Sequence, residues 1–271
     1  MARRRRLLNV AGGRQRSPRD VLNDGRTMTS TVQQLDLSGR RAMVVGVETA
    51  HGAEIARAYA AAGADVALCV PRPDEGVVTA KRLQREIEAL GRDSRVYVMD
   101  VMLGKNVQVT TRQVTKELGG LDIVASCPEL FIERPIGQTT DVELQQLMMV
   151  NFNAQFFVVR AASGEMLKGE RGGHIVLLMS TVSERGGLPG AAAYAAGQAA
   201  TRSLVRSAAQ ELDPSRVSVS GIALDRSDAG GDDAGRASRA QEAGALAVRL
   251  ASGGAGYESG EIVAVPAGAS D

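Results

Sequence analysis

The sequence predicts a doubly wound α/β domain: a parallel seven-stranded sheet with helices on both faces. Three observations carry that expectation. From Leu37 onward, apolar runs of four to six residues alternate with longer amphipathic stretches. Most of the runs are dominated by apolar residues, as strands covered on both sides require. The first of them leads through a glycine-bearing turn straight into a helical stretch. No internal repeat or second domain is visible, and 271 residues suffice to bury a full core.

Residues 1–36 precede the fold and are expected to be a disordered basic tail. Met1–Thr27 hold eight arginines against two aspartates, without sustained periodicity and without the apolar core of a secretory signal. Three readings stay open: a start at Met28, a solvated basic tail, or a targeting or anion-binding arm. Strands are then expected at Ala42–Val47, Asp65–Val70, Val96–Met99, Ile123–Ser126, His174–Met179, Val217–Ile222 and Glu261–Val265. Between them the 3.6-residue period marks helices at Gly52–Ala62, Gly76–Leu90, Lys105–Leu118, Val142–Met166 and Ala192–Leu212, with a last one at Ala240–Ala251. Asp225–Arg239 is polar, glycine-rich and aperiodic, which predicts a flexible loop.

Composition narrows the function classes. Net charge is +1 with the excess in the tail, so the folded part is mildly acidic; aromatics are 3% and tryptophan is absent. Such a surface lacks both the basic field and the stacking platforms of a nucleic-acid binder. No apolar run approaches the ~18 residues of a membrane span. Cys69 and Cys127 lie in or beside strand segments without metal or redox spacing, as buried reduced thiols of a cytoplasmic protein would.

The turn Gly46-Val47-Glu48-Thr49-Ala50-His51-Gly52 joins the first strand to its helix. In a dinucleotide-binding turn the first glycine makes the bend, and the last lets helix and strand pack. Between them a small residue lets backbone approach the pyrophosphate at the helix N-terminus. Further along stand Asn151, Thr181, Tyr194 and Gln198, the last two four residues apart on one helix.

Together these residues resemble the short-chain dehydrogenase/reductase family over roughly Leu37–Gly268, which implies a Rossmann-type fold. The resemblance implies NAD or NADP at Gly46, Ala50, His51 and Gly52, with Asp100 near the adenine. Val70 stands where NAD-preferring members carry an acid, and Arg72 follows as a partner for a 2′-phosphate. It also implies a proton relay of Asn151, Thr181 (thirteen residues before the tyrosine, with Ser180 adjacent) and Tyr194. The family lysine is replaced by Gln198, and no metal is implied.

Other departures gather around the same site. Ala50 replaces the middle glycine, Ser126-Cys127-Pro128-Glu129 replaces Asn-Asn-Ala-Gly, and Leu224-Asp225 replaces Pro-Gly. Pro266-Ala267-Gly268 stands for Asp-Gly-Gly, and the Asp225–Arg239 loop stands in place of the substrate lid. Gln198 carries no charge to favour a phenolate, and a lost relay costs about 10²–10⁴ in rate. The expectation is therefore a non-catalytic subunit of a heteromeric NAD(P)-dependent alcohol or hydroxyacyl-CoA dehydrogenase, with cofactor binding weakened or lost. It would pair with a catalytically intact paralogue through helices 142–166 and 192–212, whose apolar faces also suit a homo-oligomer. The alternatives are an active, atypical oxidoreductase using Tyr194, Thr181 and Asn151, and a non-enzymatic nucleotide sensor or scaffold.

Overall fold

The computed structural model describes residues 35–73, 75–169, 171–184, 188–212, 216–225, 233–253 and 256–265. The expected tail lies outside them, but for Leu35 and Asp36, and so does the Pro266–Gly268 motif. Seven strands form one parallel sheet: β1 (Arg41–Val45), β2 (Asp65–Val70), β3 (Ser94–Val98), β4 (Ile123–Ser126), β5 (Gly173–Ser180), β6 (Val217–Leu224) and β7 (Ile262–Val265). Their order is β3-β2-β1-β4-β5-β6-β7. The connections reverse direction between β1 and β4, and in such sheets the ligand crevice opens at the carboxyl ends of those two strands.

The helices divide between the faces. One face carries α1 (Ala50–Ala61), α2 (Glu75–Ala89) and, last in the chain, α7 (Asp233–Ala251); the other carries α3 (Gly104–Leu118), α5 (Ala154–Met166) and α6 (Ala192–Glu211). A short α4 (Asp141–Met148) leads into α5. Alternation along β1 shows the division: Ala42 and Val44 pack with Ile55, Tyr59 and Leu83 on the first face, Met43 and Val45 with Val107 and Val158 on the second. Each buried Val, Leu or Ile contributes about 1.5–3 kcal/mol. At the amino ends of the strands, Asp122 accepts from the Arg41 backbone N–H at 2.9 Å and its Nε at 2.6 Å, tying β1 to β4.

Two expected elements differ. The single helix expected over Val142–Met166 is interrupted by a π turn at Met149–Asn153, between α4 and α5. Apolar spacing cannot reveal one extra residue in a turn, and such turns gather at functional sites. The loop expected over Asp225–Arg239 is already helix from Asp233. Arg236 and Arg239 in its early turns line the crevice; Ala240, Ala243 and Ala247 behind them are buried against α1. There the helices touch, since a Cβ on Gly244 would lie 3.2 Å from both the Ala58 Cβ and the Glu54 carbonyl oxygen.

Candidate active site

The turn after β1 is built by its own chemistry. Gly46 has φ +88°, and a Cβ there would lie 2.9 Å from the Cys127 carbonyl carbon, at the end of β4. A Cβ on Gly52 would strike the Gly46 carbonyl oxygen. Thr49 is the N-cap of α1: its Oγ1 accepts from Gly52 N at 3.0 Å and donates to the Gly46 carbonyl at 2.8 Å. The helix therefore starts at Ala50, two residues before the expected Gly52. First-turn N–H groups such as those of Ala50 and His51 have no carbonyl within the helix to reach, so this end suits an anion.

Ala50 and His51 form one wall of a cleft of about 210 Å³. Cys127, Pro128 and Glu129 from the end of β4 form the next. Ser180 at the end of β5, Gln198 of α6 and Asp225 after β6 close the far side. Two arginines of α7, the exposed Arg236 and the buried Arg239, complete it. A backbone turn without Cβ at Gly46, a capped helix N-terminus and two guanidinium groups fit the diphosphate of a dinucleotide.

Two of the predicted relay residues, Asn151 and Gln198, bond to each other beside the cleft. Asn151, on the π turn, accepts from Leu130 N at 3.1 Å and donates to the Leu130 carbonyl at 2.8 Å, bracing the loop after β4. Gln198 accepts from Ser180 N at 2.8 Å and donates to the Asn151 Oδ1 at 3.3 Å. Its amide thus joins β5 to the π turn, and Thr201 Oγ1 adds a 2.6 Å bond to the Asn151 carbonyl. Tyr194 is fully buried, set edge-on to Phe131 with ring centroids 5.1 Å apart, and its phenol donates to the Glu129 carboxylate. A phenolate at Tyr194 would face a negative carboxylate where the family pattern offers a positive lysine.

The remaining predicted residues fall outside this constellation. Thr181 begins a 3-10 turn; its Oγ1 is buried without a hydrogen-bond partner, and it takes no part in the cleft wall. Ser180, and not Thr181, lines the cleft, its Oγ accepting from Val182 N at 3.2 Å. Counting back from Tyr194 assumes a loop of fixed length, whereas β5 ends at Ser180. Asp100 closes a local turn after β3, its Oδ1 accepting from Met102 N at 2.9 Å and its own N–H donating to Asn106. Arg72 is exposed beyond the end of β2. Cys69 and Cys127 are free and buried, and burial pushes both thiols up from their ordinary range. Among the described residues no cluster of three His, Cys, Asp or Glu could hold a metal, and no helix is long and apolar enough to cross a membrane.

Residues 40–230 match the short chain dehydrogenase family. The chain belongs to that family. It is 31% identical over 196 residues to the hydroxynaphthalene reductase arp2 of Aspergillus fumigatus, covering 72% of this chain and 69% of that one. Galactitol 2-dehydrogenase of Agrobacterium fabrum is 27% identical over 187 residues, 69% and 70% of the two chains. Among solved structures, a short-chain type dehydrogenase/reductase from Mycobacterium marinum superposes with a TM-score of 0.77 at 26% identity, covering 89% of this chain and 99% of its own. A blue fluorescent protein from a metagenomic library, solved with NADPH, gives 0.76 at 26% identity over 87% and 100%.

Proposed function

We propose that this chain is an NAD(P)-linked oxidoreductase acting between the hydroxyl and carbonyl forms of a small organic molecule. The observation that carries the reading is the cleft at the β1/β4 switch point, where the capped N-terminus of α1, two arginines and the Ser180 hydroxyl meet. A nicotinamide dinucleotide, when bound, supplies hydride chemistry. The chain's own part is to seat the diphosphate between the Ala50–His51 backbone and Arg236 and Arg239, and to orient the substrate oxygen at Ser180. The reductase and dehydrogenase names of its relatives, and the NADPH in one similar structure, support this reading over the non-catalytic subunit expected from Gln198. Val70 and the exposed Arg72 at the end of β2 favour NADP over NAD.

The test is titration of the purified protein with NADPH and NADH, followed by substrate-dependent oxidation of the bound form. Saturable NADPH binding with turnover supports the reading; no binding of either nucleotide overturns it.

A second reading, a subunit relieved of catalysis within a heteromer, is favoured by the Tyr194–Glu129 contact. It would pair through α5 and α6, where Phe152, Phe156 and Leu204 line an apolar groove. Co-purification with a paralogue bearing the tyrosine–lysine pair supports it, and a stable homodimer that turns over overturns it.

A further inference from the structure

We infer that Glu129, rather than Tyr194, exchanges the proton with substrate in this cleft, and that Tyr194 is its positioning residue. The inference rests on the oxidoreductase reading above. Tyr194 has no solvent exposure and forms no part of the cleft wall, so its phenol does not meet a substrate there. That phenol donates to Glu129, and Glu129 is the residue that reaches the cleft and the solvent. A carboxylate has about four lone-pair sites, so one that accepts from a phenol can accept from a substrate hydroxyl as well.

The backbone that carries Glu129 is fixed on both sides. Pro128 restricts φ immediately before it. Immediately after it, Leu130 is bonded through both N–H and carbonyl to the Asn151 amide, and Gln198 holds that amide in turn. Asn151 and Gln198 thus keep positions on the family relay while serving as supports for a carboxylate. Among the described residues, His51, Asp225, Arg236 and Arg239 are the titratable groups that line the cleft's other walls.

In the oxidative direction the balance closes. The substrate O–H bond breaks and its proton passes to the Glu129 carboxylate. The electron pair of the carbinol C–H bond leaves as hydride to an oxidised nicotinamide dinucleotide, and the C=O bond forms. Glu129, being exposed, then returns the proton to water. Reduction runs the same step backward from the protonated carboxyl group.

The test compares the full-length chain with Glu129→Gln, Glu129→Asp and Tyr194→Phe, using NADP+ and a series of secondary alcohols, with NADP+ affinity measured separately by calorimetry. Glu129→Gln is expected to lower kcat by about 10²–10⁴ and to leave NADP+ affinity unchanged. Glu129→Asp recovers part of the rate, and Tyr194→Phe costs about tenfold. Turnover that survives Glu129→Gln, or that Tyr194→Phe abolishes more fully than Glu129→Gln, overturns the inference alone. NADP+ binding with no turnover of any alcohol overturns the oxidoreductase reading and the inference with it. A Glu129→Gln protein that has lost NADP+ affinity assigns Glu129 to binding and overturns the proton role.

Discussion

The Gly46–Gly52 turn and the Asn151–Gln198 cluster flank one cleft and are held in opposite ways. In the turn the hydrogen bonds close the loop on itself and cap the first turn of α1, whose Ala50 and His51 line the cleft. In the cluster the side chains that the family pattern assigns to proton transfer bond one another and the backbone. The difference teaches that the two walls are held by different means: the first by backbone and its cap, the second by side-chain partners.

The sharpest way to break the comparison is at Gly52. Gly52→Ala drives a Cβ into the Gly46 carbonyl, and overpacking of this kind costs about 1–3 kcal/mol. We expect NADPH binding to vanish in a fluorescence titration and the urea midpoint to fall; unchanged NADPH affinity would mean that the turn does not seat the cofactor.

Gln198→Lys probes the cluster. It restores the family charge but removes the acceptor of the Ser180 N–H, an exchange costing about 1–3 kcal/mol for a buried donor left unpaired. We expect lower stability and no rise in kcat. A large gain in rate would show that the cluster is one substitution from the family relay.

Arg236→Ala removes a guanidinium from the cleft edge without touching the core. NADPH affinity should weaken by about tenfold, near 1.4 kcal/mol, and the difference should shrink with added salt. Affinity indifferent to both changes would mean that Arg236 does not hold the diphosphate.

The smallest effect lies away from the cleft. Burial lowers His174 to about 4, below its ordinary 6.5, and holds it neutral beside the Ser218 hydroxyl at 2.7 Å. Its folded value lies below its unfolded one, so its contribution is complete above about pH 6.5 and is lost as pH falls through about 4. His174→Gln should flatten the pH dependence of the urea midpoint across that window while leaving NADPH binding unaltered; an unchanged slope would mean that His174 does not titrate with folding.

How much was legible depended on whether the cause was local. β2 and β4 were bounded correctly as Asp65–Val70 and Ile123–Ser126, because uniform apolar runs end at punctuation such as Pro71 and Pro128. The start of α7 was missed because its polar first turns look like loop when the crevice they face is unknown. Glu129 was noticed as a departure, but its bond to Tyr194 spans 65 residues of sequence and no periodicity carries it. Ser180 and Thr181 differ by one position, and only the end of β5 decides which hydroxyl lines the cleft. Arg236 and Arg239 had a signal, two cations three residues apart before an alanine-rich helix, hidden by reading the segment as loop.

The Tyr194–Glu129 bond also makes the chain an optical instrument. It has four tyrosines and no tryptophan, so its ultraviolet emission is that of phenols alone. An excited phenol bonded to a carboxylate can pass its proton across, which weakens its ordinary emission. Emission from Tyr194 should therefore be weak while Glu129 holds it and rise when a ligand draws the carboxylate away, reporting from inside the site without any added label.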